Sequence, residues 1–218
     1  ITILITAIGT GVGLIFLTMT AFVISRKDFK YRNVISFYFY FTTLFNGGMV
    51  CTYIFYIQYY GLKDNLLALI LPGLTPVFYM LIMRNFVSGI PSALIESAKI
   101  DGAGEVRIFF QIVLPLLGSG LATIGLFMAL TYWNDWYNAM LYINTEWKYP
   151  LQYMLYNMIQ KAAAMARVAS QLGIPVENMP TNTLKLAMAV VATGPIILLY
   201  PFVQKYFVKG VTIGSVKG

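Results

Sequence analysis

The chain has 218 residues, of which 59% are hydrophobic and 11% charged, and its net charge at pH 7 is +7. Soluble domains carry roughly 25% charged residues, so this composition excludes a protein whose whole surface faces water. Because the chain has no histidine and Cys51 is its one cysteine, an internal disulfide and a metal site built from cysteine or histidine are also excluded.

Five long runs without a charged side chain predict five membrane-spanning helices. A helix needs about 20 apolar residues to cross the hydrocarbon core of a bilayer, and each run is long enough. The runs are too long and alternate too little for barrel strands, which leaves helices. The predicted fold class is therefore all-α: a polytopic bundle of transmembrane helices, forming one domain over residues 1–218. The spans are predicted at about residues 1–25, 33–60, 65–84, 108–132 and 184–206.

The first run begins at Ile1 with no basic segment ahead of it. A secretory signal would begin with such a segment and continue with a short apolar core and a cleavage site. The run is therefore predicted to be a span, and further natural residues are expected to precede it.

The basic residues are unevenly divided between the two sides that these spans define. Membrane proteins keep an excess of Lys and Arg in cytoplasmic loops, so the more basic side is predicted to be cytoplasmic and to carry the C-terminus. This topology accounts for the positive charge better than nucleic-acid binding does. The ten basic residues of one side are Arg26, Lys27, Lys30, Arg32, Arg84, Lys99, Arg107, Lys205, Lys209 and Lys217, and the five of the other are Lys63, Lys148, Lys161, Arg167 and Lys185.

Two connections between the spans are long. Residues 84–107 are predicted to lie on the cytoplasmic side, and residues 133–182 on the external side. Within the external connection, residues 151–171 contain no Gly or Pro and are predicted to form a helix at the membrane surface.

The cytoplasmic connection is predicted to contain a short helix over about residues 91–101. Pro91 suits the first turn of a helix, and Gly102 suits the left-handed conformation that ends one. The helix is too short and too polar to cross a bilayer. Ser97, Ala98 and Gly102 are expected to form a low ridge that a partner protein can approach closely.

A spaced set of residues in this connection resembles the signature of ABC importer permeases. That signature is Glu-Ala-Ala, three residues, Gly, nine residues, Ile, one residue, Leu-Pro. Here Ser97 replaces one alanine and keeps the ridge low. The preceding Ile90-Pro91 and the tail over residues 210–218 are similar to the carbohydrate branch, in particular the second permease subunit of maltose-type importers. The matching residues are Glu96, Ser97, Ala98, Gly102, Ile112, Leu114 and Pro115.

The resemblance implies a mechanism. In this family the short helix is a coupling helix that docks into a cleft of a cytoplasmic ATPase, and closure of the ATPase on ATP turns the membrane pathway outward. By resemblance, Glu96, Ser97, Ala98 and Gly102 would lie at the ATPase contact. Ile112, Leu114 and Pro115 would then shape the return into the membrane.

The resemblance also implies the partners and the location of the chain. They are a homologous second permease subunit, two ATPase subunits, an extracytoplasmic solute-binding protein, membrane lipid and a sugar or oligosaccharide. The chain is expected to bind no cofactor itself, since ATP and Mg belong to the partner ATPase. It would lie in the plasma membrane of a prokaryote as a multi-pass protein with six spans, of which the first is missing here.

The candidate substrate contacts are aromatic and amide side chains. The spans contain essentially no ionisable residue, which argues against a proton-driven carrier. Aromatic faces and hydrogen-bonding side chains suit sugars, although Trp and Tyr also gather at membrane interfaces without binding anything. The candidates are Trp133, Asn134, Asp135, Trp136 and Asn138, followed by the weaker set Asn46, Tyr53 and Tyr56.

Three other functions remain open from the sequence. An ABC importer permease for a non-sugar solute would share the signature, but the Ile90-Pro91 lead-in and the tail favour sugars. A membrane enzyme is disfavoured because the chain has no histidine and no paired-carboxylate constellation. A structural or receptor-like membrane subunit is the third alternative, and association with an ATPase would separate it from a transporter.

Overall fold

The computed structural model describes residues 1–172, 183 and 185–197, and this part of the chain is helical without a strand. The all-α prediction is confirmed. Residues 173–182, 184 and 198–218, which include the tail over residues 210–218, lie outside the described residues. The helices are α1 (Thr2–Ser25), α2 (Arg32–Leu44), α3 (Gly48–Ile54), α4 (Leu67–Ile70), α5 (Val77–Ser88), α6 (Ser92–Ile100), α7 (Glu105–Ile108), α8 (Leu114–Leu116), α9 (Gly118–Trp133), α10 (Tyr137–Tyr142), α11 (Leu151–Gln171) and α12 (Lys185–Ile197), with π-helical or 3-10 turns at Phe55–Tyr59, Leu71–Gly73, Phe109–Val113 and Glu146–Lys148.

Helix α1 is the straight axis of the bundle. Its 24 residues, none of them charged, rise about 36 Å, enough to cross a bilayer. It packs against α5 and α9, and the approach to α9 is close because Gly9 has no side chain. A Cβ atom at Gly9 would lie 2.5 Å from Cζ of Tyr132, whose hydroxyl donates a buried hydrogen bond of 2.8 Å to the Ile70 carbonyl.

The other described apolar segments are bent. The bend is 113° between α2 and the segment Gly48–Tyr59, 50° between Leu67–Gly73 and α5, and 83° between Glu105–Leu116 and α9. If each bent pair is counted as one span, the described residues hold up to four spans. The described part of the predicted fifth span is α12, which is shorter than a full crossing.

The sequence-based expectation of one unbroken helix over residues 33–60 needs correction. The chain turns sharply between α2 and α3, where Oδ1 of Asn46 accepts a hydrogen bond from the Gly48 amide at 2.9 Å. Gly48 has a φ of +81°, which glycine adopts without steric cost. An asparagine followed by two glycines therefore ends α2 inside a run that carries no charge.

Contacts at the two ends of α1 show which connections share an end of the bundle. At the start of α1, Oγ1 of Thr2 accepts a hydrogen bond of 2.7 Å from the Leu151 amide at the start of α11. Beyond its other end, Arg26 pairs with Glu105 at 3.2 Å. We call these the Thr2 end and the Arg26 end. Residues 84–107 thus share one end with the loop after α1, and the beginning of α11 lies at the opposite end.

The hydrophobic core follows α1 over most of its length. Ile5 lies in it near the Thr2 end and Ile24 near the Arg26 end. Helices α2 and α3 contribute no fully buried residue, and apart from Phe39, which packs against the core, their aromatic side chains are exposed. In a membrane such apolar faces meet lipid or another helix. The largest side chains that the structure buries almost completely are Leu17, Ile24, Met80, Met83, Ile108, Ile124, Met128, Ile143, Val113 and Thr18.

Candidate functional site

Helix α6 lies at the Arg26 end, where the sequence predicts a short helix. Pro91 directly precedes its first residue, and Gly102 follows its end with a φ of +78°. The Gly102 amide donates to the Lys99 carbonyl at 3.0 Å, and the next amide donates to the Ala98 carbonyl at 2.9 Å. No heavy atom lies within 4 Å of where a Cβ atom of Gly102 would stand. The turn therefore combines a left-handed backbone with open space.

The side chains of α6 divide into an inner and an outer set. Ala98 is 8% exposed and belongs to the core, so it supports the helix from beneath and is not part of the expected ridge. Its direction depends on how α6 packs, which the residue spacing of the signature does not reveal. Glu96 and Ser97 are exposed, as is Ile100 at 86%. We call Glu96, Ser97, Ile100 and Gly102 the outer face of α6.

The exposed Ile100 is a residue that the sequence reasoning missed. A single exposed apolar residue is ordinary on a protein surface. Val106, four residues after Gly102, is also 70% exposed, so two aliphatic side chains flank the turn. The signal for them was available, since both stand among charged residues in a connection between spans.

The second half of the signature lies where the chain returns to the bundle. Ile112 is in the π-helical turn Phe109–Val113, and Leu114 and Pro115 are in α8. Ile112 and Leu114 pack against the core, whereas Pro115 is exposed. These residues thus precede the 83° bend into α9 and are separate from the outer face of α6.

Four charged side chains meet at the Arg26 end. Arg26 contacts the carboxylates of Asp28 at 2.5 Å and Glu105 at 3.2 Å. Lys99 contacts Asp28 at 3.0 Å and Glu105 at 2.9 Å. Hydrogen bonds from Arg26 and then Lys99 hold the pKa of Asp28 well below its usual range. We call Arg26, Asp28, Lys99 and Glu105 the four-charge cluster; the sequence reasoning used its basic members only for topology.

The first candidate substrate group divides when its contacts are considered. Trp133 is 9% exposed, and its indole Nε1 donates to the Ala192 carbonyl of α12 at 3.0 Å, so it packs between helices. Asp135 accepts hydrogen bonds from the backbone amide of Asn138 at 3.0 Å and from its Nδ2 at 2.9 Å. These two residues therefore fix the first turn of α10.

The remaining two members of that group, Asn134 and Trp136, contact α11. Oδ1 of Asn134 accepts a hydrogen bond from Nε2 of Gln152 at 3.1 Å. The ring of Trp136 stacks on Tyr156 with centroids 4.4 Å apart, and Trp136 remains 37% exposed. The turn between α9 and α10 is thus joined to α11 by one amide pair and one aromatic pair. Gln152 and Tyr156 were missed because only the fold brings α11 to this turn.

The second candidate group lies beside α10. The rings of Tyr53 and Tyr56 are each 5.8 Å from the ring of Tyr142, and the hydroxyl of Tyr137 donates to Sδ of Met49. Asn46 stands apart from these contacts, since its side chain accepts a hydrogen bond from the Gly48 amide at the break before α3. The structure therefore brings Tyr53 and Tyr56, but not Asn46, next to α10, the helix that also contains Asn138 of the first group.

A second charged contact holds the connection that leads into α11. The carboxylate of Asp64 accepts hydrogen bonds from the amides of Asn144 and Thr145, both at 3.0 Å, and from the Thr145 hydroxyl at 2.6 Å. Lys148 adds an ion pair at 2.8 Å. These hydrogen bonds, the one from Lys148 foremost, lower the pKa of Asp64. Asp64 has a φ of +55°, so a strained residue is held by several partners.

No group of three or more His, Cys, Asp or Glu side chains within residues 1–172, 183 and 185–197 has the arrangement of a metal site. The described residues at both ends offer instead ion pairs, amides, aromatic rings and an exposed aliphatic side chain. Such groups suit contacts with proteins and neutral or polar solutes, not covalent chemistry.

Residues 9–213 match the family described as "Binding-protein-dependent transport system inner membrane component". The chain is 43% identical over 218 residues to the polygalacturonan/rhamnogalacturonan transport system permease protein YtcP of Bacillus subtilis (strain 168), covering 100% of this chain and 76% of YtcP. It is 41% identical over 220 residues to Protein LplC of the same organism, covering 100% of this chain and 73% of LplC.

A solved structure is similar as well. It is a crystal structure of a bacterial ABC transporter involved in the import of the acidic polysaccharide alginate. The TM-score is 0.79 with 31% sequence identity, and the alignment covers 94% of this chain and 72% of the matched chain. The helical arrangement described above is therefore that of a transporter subunit.

Proposed function

The chain belongs to the family of binding-protein-dependent transport system inner membrane components, and from that premise we propose that it is a permease subunit of an ATP-driven importer of sugars or oligosaccharides. The observation that carries the proposal is the 43% identity to YtcP over the full length of this chain. YtcP is named for polygalacturonan and rhamnogalacturonan, and the similar solved transporter imports alginate. Oligosaccharides containing uronic acids are therefore the substrate class that these relatives favour.

The proposed orientation places the Arg26 end in the cytoplasm. Ten of the fifteen Lys and Arg residues are assigned to that side by sequence, and basic residues accumulate in cytoplasmic loops. Arg26 and Lys99 lie together at this end. With this orientation the C-terminus is cytoplasmic, and α11 begins on the external side, where a solute-binding protein would approach.

The outer face of α6 is the proposed contact with the ATPase. Ile100 offers an almost fully exposed side chain, and burying a residue of its size in a partner's cleft contributes roughly 1.5–3 kcal/mol. Gly102 lets the partner approach the backbone because no side chain stands there, and Glu96 and Ser97 supply polar contacts beside it. Ala98 is proposed to act from beneath, by holding α6 on the core.

The residues that follow α6 are proposed to carry its movement into the membrane. Ile112 and Leu114 pack on the core, and Pro115 stands at the start of α8, just before the bend into α9. A displacement of α6 would therefore reach α9 through a short, packed segment. ATP and Mg would be held by the two ATPase subunits, and a homologous second permease would complete the pathway.

The proposed sugar contacts are those members of the aromatic and amide groups that remain accessible. Trp136 is partly exposed, and Asn134, two residues before it, is exposed as well. Tyr53 and Tyr56 lie beside Tyr142 of α10, and Asp135 and Asn138 hold the first turn of that helix in place. Trp133 is proposed to have a packing role. Because the spans carry essentially no cation, carboxylates of an acidic sugar would be met by amide and hydroxyl donors or by the partner permease.

The proposal is tested by reconstituting the chain with its partner permease, ATPase subunits and binding protein in liposomes. We expect saturable uptake of a radiolabelled oligogalacturonide that requires both ATP and the binding protein. A maltooligosaccharide and an amino acid serve as comparison solutes. Uptake of the amino acid alone would favour the non-sugar importer, and undiminished uptake without this chain would favour a structural subunit.

A further inference from the structure

The four-charge cluster forms a closed ring. Each of the two cations contacts each of the two carboxylates: Arg26 pairs with Asp28 and Glu105, and Lys99 pairs with the same two residues. The sum of the four charges is zero, and positive and negative side chains alternate around the ring. Removing any one member would leave one ion pair and one further charge without a partner of opposite sign.

The ring joins three parts of the chain. Arg26 directly follows α1, Asp28 lies in the loop before α2, Lys99 is in the last turn of α6, and Glu105 is the first residue of α7. The ends of the Asp28–Lys99 contact are 71 residues apart in sequence. The ring therefore ties α6 to α1, although the two helices are separated by four others along the chain.

Arg26 is the best-held member of the ring. Its side chain is 13% exposed, whereas those of Asp28 and Glu105 are 57% exposed. Its guanidinium forms two parallel hydrogen bonds to Asp28 and lies 5.5 Å from the centre of the Phe22 ring in α1. An isolated exposed ion pair contributes little, but a network around a two-pronged arginine is better oriented. The hydrogen bonds of Asp28 and Glu105 also raise the pKa values of Arg26 and Lys99, respectively.

At its other end α1 reaches the segment that leads into α11. Oγ1 of Thr2 accepts the hydrogen bond from the Leu151 amide. Between Thr2 and Ser25 the helix is unbroken. Among the described residues, the three other apolar segments that are long enough to cross a membrane are bent. A rigid element with a fixed contact at each end is suited to carry a displacement from one side of a membrane to the other.

We propose that Arg26, Asp28, Lys99 and Glu105 are positioning residues that lock α6 to α1, so that movement of α6 by the ATPase is passed along α1 to the external side. This inference rests on the proposed function. It adds a route for the movement that does not pass through Ile112, Leu114 and Pro115. Because all four charges form one ring, the residues are expected to act as a unit.

The test is a double-mutant cycle with Asp28→Asn and Lys99→Gln in the complete reconstituted complex. Each single variant is expected to reduce uptake stimulated by the binding protein about tenfold, a typical size for coupling between sites. The double variant is also expected to lose about tenfold, because residues of one network are not additive. Membrane abundance, association with the ATPase and basal ATP hydrolysis are expected to stay at the level of the unchanged chain.

Two further variants serve as controls. Lys27→Gln removes a positive charge from the same loop outside the ring, and Asp28→Glu keeps the charge within reach of its partners. Both are expected to retain uptake. Stimulation of ATP hydrolysis by the loaded binding protein is measured in parallel, since it reports transmission without depending on which sugar is transported.

Several results would overturn the inference. Full uptake in both single variants would show that the ring is not needed. A loss of about a hundredfold in the double variant would mean that the two residues act independently. Loss of ATPase association would mean that the ring serves assembly of the complex. Failure of the proposed function looks different, because the unchanged complex would then transport no sugar. In that case the variants can still be compared by the rate of ATP hydrolysis that the loaded binding protein stimulates.

Discussion

Replacing Gly102 by leucine changes one point of the outer face of α6 and leaves the transmembrane packing intact. Gly102 has a φ of +78°, and a residue with a Cβ atom pays roughly 1–2 kcal/mol to adopt the left-handed conformation. That energy lowers the population of the native turn about five- to thirtyfold. No heavy atom lies within 4 Å of the added Cβ, so the spans are not strained. The leucine would instead project into the space that the ATPase is proposed to occupy.

We expect normal membrane abundance, weakened association with the ATPase, and uptake close to background. The matched control is Gly104→Leu, because Gly104 also has open space around it but an ordinary φ of −70°. Gly102→Ala isolates the conformational cost and should give an intermediate loss. The assay separates ATPase retention on immobilised permease from sugar uptake in liposomes. Full uptake by Gly102→Leu, or an equal loss in Gly104→Leu, would refute the reasoning.

Two further predictions concern the bundle itself. Gly9→Val should lower the free energy of unfolding by about 1–3 kcal/mol, because its Cβ would overlap the Tyr132 ring. Gly11→Val should be tolerated, because its Cβ would meet no atom within 4 Å. Thermal unfolding of the two variants in detergent checks the prediction, and equal stability of the two would contradict it. Asp64→Asn should lower thermal stability at pH 7, because the depressed pKa of Asp64 means that its ion pair with Lys148 stabilises the fold above the unfolded pKa. That difference should shrink progressively below about pH 4, because the carboxyl of Asp64 then takes up a proton in the unfolded chain while it stays ionised in the folded protein. A difference that grows on acidification would contradict the assignment.

Much of the architecture could be predicted because the sequence signals were local. The charge-free first run gave α1, and Pro91 and Gly102 gave the bounds of α6 to within a residue or two. The match of residues 9–213 to a transport family confirms the predicted ABC importer permease, and with it a transport subunit that is not itself an enzyme. Hydropathy could not distinguish a straight span from a bent one, since the Asn46 break adds no charge.

The candidate site was harder to predict because side-chain direction depends on packing. Ala98 and Ser97 are neighbours in the signature, yet one is buried beneath α6 and the other is exposed. Trp133 and Trp136 are three residues apart, yet one donates to α12 and the other stacks on α11. The four-charge cluster was invisible for a related reason: its basic members were explained by topology, and only the fold brings Asp28 to Lys99.

The distribution of bends supports a division of roles among the helices. A bent segment can change its angle at the break with few lost contacts, and breaks lie before Gly48, before α5 and before α9. Helix α1 has no such break and is held at both ends, by the four-charge cluster and by Thr2. A displacement that starts at α6 would therefore have to cross a bend to reach α9, whereas α1 would pass it on without one. For this reason the ion pairs beside Arg26, although exposed, should matter more for transport than for stability.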